Sequence, residues 1–125
     1  YLKDKLDINK MNESCLRLLN HKNFKCFSKS NTDVKTYDCD IEYAEWVNTE
    51  NGYKFSITAN RFLRNMVRSI VGTMIEIGTC KITDKDLQKI LDSEDRREAG
   101  YSVPASGLFL SNVTYKNIFE TSWKK

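Results

Sequence analysis

Residues 60–78, NRFLRNMVRSIVGTMIEIG, constrain the fold of this chain more than any other stretch. At about 100° per residue, Phe62, Met66, Ile70, Met74 and Ile77 share one helical face with Leu63 and Val67 beside them, and the apolar arc spans about 220°. An arc that wide predicts a helix covered on more than one side, with Asn60 as its N-cap and Gly78 as its end. Arg61, Arg64 and Arg68 recur at i, i+3 and i+7 and occupy a sector of about 60° beside the arc. Guanidinium groups there either run their stems past the apolar face into water or meet an anion, and spacing alone leaves both readings open. Gly72, one turn past Arg68, costs about 1 kcal/mol against Ala in a helix interior. Its presence predicts a close backbone approach or room for Arg68 to lie down.

The flanking segments suggest what covers such a helix. Met11, Cys15, Leu18 and Leu19 fall on one face of a helix over residues 9–19, with Asn20 as its stop, and Phe24 and Phe27 return to the core. Cys39, Ile41 and Tyr43 alternate with Asp38, Asp40 and Glu42 in a half-buried strand pattern. Tyr53, Phe55 and Ile57 alternate with Lys54, Ser56 and Thr58 in a second, and Asn51-Gly52 between the two predicts a hairpin. Thr83 with Asp86 has the form of a capping box opening a short helix through Leu87, Ile90 and Leu91, which ends near a solvated charged run, Asp92 to Glu98. A loop of small residues, 99–107, precedes a strand over residues 108–115, while the tail from Ile118 to Lys125 carries too little pattern to assign. The order predicts an α+β fold, an antiparallel sheet with helices packed on one face.

With 125 residues the chain is a single domain by length. The 20 basic against 17 acidic residues leave a net charge of +3, so an anionic partner must meet a local patch rather than a strongly basic whole. Cysteines at 15, 26, 39 and 80 form no CxxC pair, and His21 is the one histidine, so the expectation is reduced, partly buried thiols and no metal site. The longest apolar run falls far short of a membrane span and no signal-peptide pattern opens the chain, which predicts a cytoplasmic protein with no membrane partner. Starting at Tyr1 without an initiator Met, the chain reads as part of something longer.

Residues 60–78 together with 97–115, REAGYSVPASGLFLSNVTY, closely resemble the C-terminal half of the bacterial tRNA pseudouridine synthase A family, and residues 18–27, LLNHKNFKCF, resemble the stretch after the first helix of that half. The resemblance implies a pseudouridine synthase-like half-domain spanning 1–125, whose N-terminal, catalytic-Asp-bearing half is absent. It further implies a cofactor-free isomerase that acts as a homodimer. That enzyme converts uridines of the tRNA anticodon stem-loop, at tRNA positions 38, 39 and 40, to pseudouridine. The family's catalytic Asp sits in a Gly-Arg-Thr-Asp-x-Gly-type motif that this sequence does not contain, so the fragment alone is expected to be inactive. One stretch departs from the pattern: the family commonly has a basic residue near the strand entry that reads Lys35-Thr36-Tyr37-Asp38-Cys39-Asp40-Ile41 here.

By that resemblance Arg68 is the ion-pair partner of the missing Asp, a fixed cation that keeps a partly desolvated carboxylate ionised and orients it with a planar fork. Leu108 matches an apolar residue lining the pocket for the flipped base, and Phe62 is a candidate neighbour of that pocket; ordinary core is the alternative for both. Arg61 and Arg64 are candidates for backbone phosphates at the cleft edge. His21 reads as structural, and Asp84, Asp86, Asp92 and Asp95 as helix-cap or exposed residues rather than a replacement nucleophile. Two rival functions need no catalysis: an RNA-binding module using the arginine stripe, with salt-sensitive RNA affinity, and a dimerisation module with none.

Overall fold

The computed structural model describes residues 6–28, 36–49, 52–63, 65–95, 98–99, 108–113 and 116–124, with 49, 52 and everything from 108 onward described by backbone alone. Helix α1 (Ile8–Leu19) starts one residue before the sequence pattern suggests, because Asp7 caps it by accepting the Lys10 N–H at 3.2 Å. Its buried residues, Met11, Ser14, Cys15 and Leu18, form the expected stripe, and Asn20 is its C-cap. Phe24 and Phe27 flank a 3₁₀ turn (Lys25–Phe27) and are buried in the core.

Strands β1 (Ile41–Thr49) and β2 (Gly52–Ala59) form the predicted antiparallel hairpin. Tyr53, Phe55 and Ile57 are buried as expected, but the β1 alternation inverts partway along. Cys39 and Ile41 are buried, whereas Tyr43 is 45% exposed. Ile41 faces Ala59 and Tyr43 faces Thr58, so Glu42 is an extra residue, a bulge that switches the inward positions from odd to even numbers. Trp46, 1% exposed, takes the core place opposite Phe55.

The tail without a readable pattern is strand β4 (Lys116–Lys124), and it is not peripheral. The sheet order is β1-β2-β4-β3, where β3 is Leu108–Val113, and every pairing is antiparallel. The helices cover the face that carries Trp46, Phe55 and Ile57, while Tyr43, Glu45 and Val47 lie exposed on the other. The α+β class expected from element order therefore holds.

Helix α2 (Met66–Gly78) departs most from expectation at its start. It begins six residues after Asn60, behind Asn65 in the left-handed region at φ 68°, so residues 60–63 are not helical. Asn60 does not cap it: the Asn60 side chain accepts the Asp40 N–H at 2.8 Å, and the Asn60 N–H donates to the Asp40 carbonyl at 3.1 Å. The width of its apolar face is as predicted, since Met66, Val67, Ile70, Val71, Met74 and Ile77 are all buried.

Gly78 does end α2, for a reason other than backbone freedom. A Cβ there would lie 2.5 Å from Met11 Sδ and 3.1 Å from Leu6 Cδ2, so the glycine permits α1 and α2 to touch, while Cys80, at φ 64°, takes the left-handed position. Helix α3 (Asp84–Ser93) opens with the predicted reciprocal box: Asp86 N–H donates to Thr83 Oγ1 at 3.2 Å and Thr83 N–H to Asp86 Oδ2 at 2.9 Å. Arg17 ties α1 to α3 by donating to Asp84 Oδ2 from Nε at 3.2 Å and Nη2 at 2.9 Å, and to Gln88 Oε1 at 3.2 Å.

Candidate functional site

The late start of α2 breaks up the arginine stripe. Arg61 lies in the non-helical link, Arg64 falls outside the described residues, and Arg68 sits on the first turn of α2, so the three do not share one helical face. The physical cause is the competition at Asn60: its amide and backbone extend the β1–β2 hairpin by one pair, with Asp40, instead of opening a helix. Arg61 Nη1 donates to the carbonyls of Thr36 at 3.0 Å and Asp38 at 3.2 Å. Phe62 is half-buried against the core and Leu63 is buried. The first helical residue, Met66, folds back on the link: its N–H donates to the Leu63 carbonyl at 3.1 Å and its Sδ lies 3.4 Å from the Leu63 nitrogen.

Arg68 is half-buried, flanked in sequence by buried Val67 and Ser69. A cation on the first turn of a helix is electrostatically misplaced, because the exposed N–H groups already make that end positive. No acidic residue occupies the same turn to offset it. Arg68 adds its charge to that end of the helix. That gives Arg68 a physical distinction from Arg61 that spacing did not supply.

Leu108 is the first residue of β3, and its backbone pairs in register with Thr121 of β4, which faces Phe55 of β2, which faces Trp46 of β1. The loop with Pro104 and Gly107 that leads into it lies outside the described residues. Arg61 and Phe62 thus lie in the link ahead of α2, Arg68 lies on its first turn, and Leu108 lies on an edge strand of the sheet.

Several other titratable groups among the described residues are committed elsewhere. Burial pushes the thiols of Cys15 and Cys26 up to about 12 and raises that of Cys39, as expected of structural cysteines, whereas Cys80 is exposed. The hydrogen bond from Arg17 holds the Asp84 carboxyl below its ordinary value, and Thr83 does the same for Asp86. His21 packs edge-on against Phe24, ring centroids 5.7 Å apart, and its Nε2 is buried without a hydrogen-bond partner, so the ring contact rather than a hydrogen bond holds it. Among the described residues no group of His, Cys, Asp and Glu is placed to hold a metal, and no helix is long and apolar enough to cross a membrane.

What sequence reasoning missed is the strap formed by residues 36–40, which touches the link through Asn60 and Arg61. Continuing the hairpin ladder past Ile41 and Ala59 leads to the Asp40–Asn60 pair, but only once the bulge at Glu42 is known.

Comparison with known proteins shows the family of the chain. The family model described as tRNA pseudouridine synthase matches residues 16–116. A tRNA pseudouridine synthase A of Bacteroides fragilis is 50% identical over 117 residues, covering 92% of this chain and 46% of that protein. One from Parabacteroides distasonis is 46% identical over 114 residues, covering 91% and 45%. More distantly, one from Staphylococcus carnosus is 33% identical over 110 residues, covering 88% and 41%. The chain spans less than half the length of these curated relatives.

Proposed function

Because the chain belongs to the tRNA pseudouridine synthase family, we propose that it is the C-terminal half of a tRNA pseudouridine synthase A, an isomerase that turns uridines of the tRNA anticodon stem-loop into pseudouridine. The observation that carries this reading is the family match over residues 16–116, a segment that includes Arg68, a half-buried cation on the first turn of α2. In the whole enzyme Arg68 pairs with the catalytic Asp of the N-terminal half. Its fixed positive charge lowers that carboxyl's pKa and keeps it ionised as the cleft is desolvated, and its planar fork sets the direction of the reactive oxygen.

The Asp then reacts with the bound nucleoside, the glycosidic C–N bond breaks, and the uracil turns and rejoins the ribose through carbon. Leu108 and Phe62 form apolar wall for the extruded base, replacing the stacking it loses on leaving the helix. Arg64 is the candidate for a backbone phosphate at the cleft edge, a contact that positions the RNA without reading its sequence, whereas Arg61 Nη1 is engaged by the carbonyls of Thr36 and Asp38. The working form in this reading is a cytoplasmic homodimer whose N-terminal half belongs to the same polypeptide.

The test is a tritium-release or mass-spectrometric assay of the full-length protein on a tRNA transcript. The wild type forms pseudouridine in the anticodon stem-loop, Arg68→Ala forms none while keeping its circular dichroism spectrum, and the chain over residues 1–125 alone forms none. Near-normal turnover by Arg68→Ala would remove the ion-pair role. A full-length wild type that leaves tRNA unmodified would remove the enzymatic reading.

A further inference from the structure

Arg61 is bound by its own fold before any RNA arrives. Its Nη1 bridges two carbonyls, Thr36 at 3.0 Å and Asp38 at 3.2 Å, while its neighbour Asn60 exchanges two hydrogen bonds with Asp40 at 2.8 and 3.1 Å. The strap they grip is held on its far side as well, since Phe24 N–H donates to the Tyr37 carbonyl at 3.0 Å and Cys39 N–H to the Lys22 carbonyl at 2.9 Å. From the strap the contact continues into α2: Cys39 Sγ lies 3.9 Å from Sδ of Met66, the first helical residue, two positions before Arg68. At the end of the link Asn65 sits at φ 68°, in the left-handed region that Asn enters more readily than other non-glycine residues.

We infer that Asn60 and Arg61 are positioning residues for the reaction: they clamp the link ahead of α2 to the strap of residues 36–40 and so fix where Arg68 is presented. This rests on the proposed role of Arg68. A guanidinium whose Nη1 is already held by two backbone carbonyls orders the link before substrate binds, and misplacing a charge partner by about 1 Å has large effects on rate. The clamp therefore acts on the bound complex, not on the capture of tRNA.

The experiment uses the full-length protein with Arg61→Met, which keeps the stem and removes the donors, and Asn60→Ala, which changes no charge. Single-turnover rates at saturating tRNA, KM, and the salt dependence of tRNA binding are measured, with Arg68→Ala alongside. The expected result is a saturating rate about tenfold or more below wild type in both variants, recovered in large part by Arg61→Lys. The salt dependence of Asn60→Ala should match wild type. Saturating rates within about twofold of wild type in the folded variants overturn the inference. So does a loss in Arg61→Met confined to KM with a salt slope smaller by about one, the signature of a lost phosphate contact, with Asn60→Ala silent. Failure of both variants to fold also overturns it, since the clamp would then serve only the fold. An inactive Arg68→Ala beside a silent Asn60→Ala removes the positioning role alone, whereas an active Arg68→Ala removes the reading on which it rests.

Discussion

The side-chain amide of Asn12 on α1 completes both backbone hydrogen bonds of Trp46 on β1: Trp46 N–H donates to Asn12 Oδ1 at 2.8 Å, and Asn12 Nδ2 donates to the Trp46 carbonyl at 2.9 Å. β1 is an edge strand, and at Trp46 its outward groups are closed by a helix rather than left for another chain. With those groups turned away from β2, Trp46 faces Phe55 as a non-hydrogen-bonded pair, the arrangement in which opposed side chains come closest. The rings stack with centroids 4.7 Å apart and planes 28° apart. Asn12→Ala should cost about 1–3 kcal/mol, because it strands a donor and an acceptor that are partly buried. Urea denaturation measures this, and a midpoint equal to wild type would mean that water replaces the amide freely.

Phe55→Ala should be more damaging, about 3–5 kcal/mol, since the ring is fully buried and stacked. The same denaturation series tests it. A loss below about 1 kcal/mol would show that the neighbouring core collapses into the space.

Gly78→Ala sets two effects against each other. Alanine gains about 1 kcal/mol of helix propensity, but its Cβ would meet Met11 Sδ at 2.5 Å inside a packed core. Overpacking of this kind typically costs about 1–3 kcal/mol, so a net destabilisation is expected. A double-mutant cycle with Met11→Ala checks the cause: the Met11 truncation should cost less in the Gly78→Ala background than in wild type.

Alkaline pH should weaken the fold through its buried thiols. An unperturbed thiol titrates near 9.0, whereas burial holds Cys15 and Cys26 at about 12. Between those values the unfolded chain has released protons that the folded chain keeps, so stability is full below about pH 9 and falls as pH rises above it. The slope approaches about 1.4 kcal/mol per pH unit for each thiol. Stability measured between pH 8 and about pH 10.5 should fall less steeply in Cys15→Ala than in wild type; identical slopes would assign the effect to other groups.

Arg68→Lys separates charge from geometry at the proposed ion pair. Lysine keeps the cation but not the planar fork, so turnover should lie between that of wild type and Arg68→Ala, with KM for tRNA little changed. Equal turnover in Arg68→Lys and wild type would reduce the role of Arg68 to charge alone.

Much of the fold was legible because local signals agreed with one another. The α1 stripe at Met11, Cys15 and Leu18, the pairing of β1 with β2 up to Thr49 and Gly52, and the Thr83–Asp86 box each need only neighbours within a few residues. The start of α2 was not legible, because Asn60 is an equally good N-cap and strand-end partner, and the choice depends on Asp40 across the hairpin. Trp46 was missed for a related reason: a one-residue bulge at Glu42 reverses a period-two pattern without leaving a mark in composition. In the candidate site, Arg68 and Leu108 were singled out through the family resemblance of the motifs that carry them. The role of Arg61 was hidden, since carbonyl oxygens of residues 36 and 38 carry no side-chain signature.

The interior place of β4 has a consequence for the order of events during synthesis. Residues 116–124 fill the gap between β2 and β3, so until they are made β2 presents an open edge and β3 has no strand beside it. A chain cut short at residue 113 would keep the β1–β2 hairpin but lack the strand that joins β3 to it. The sheet therefore closes only with residues 116–124, and a product truncated before them leaves the inner edge of β2 open to any neighbour.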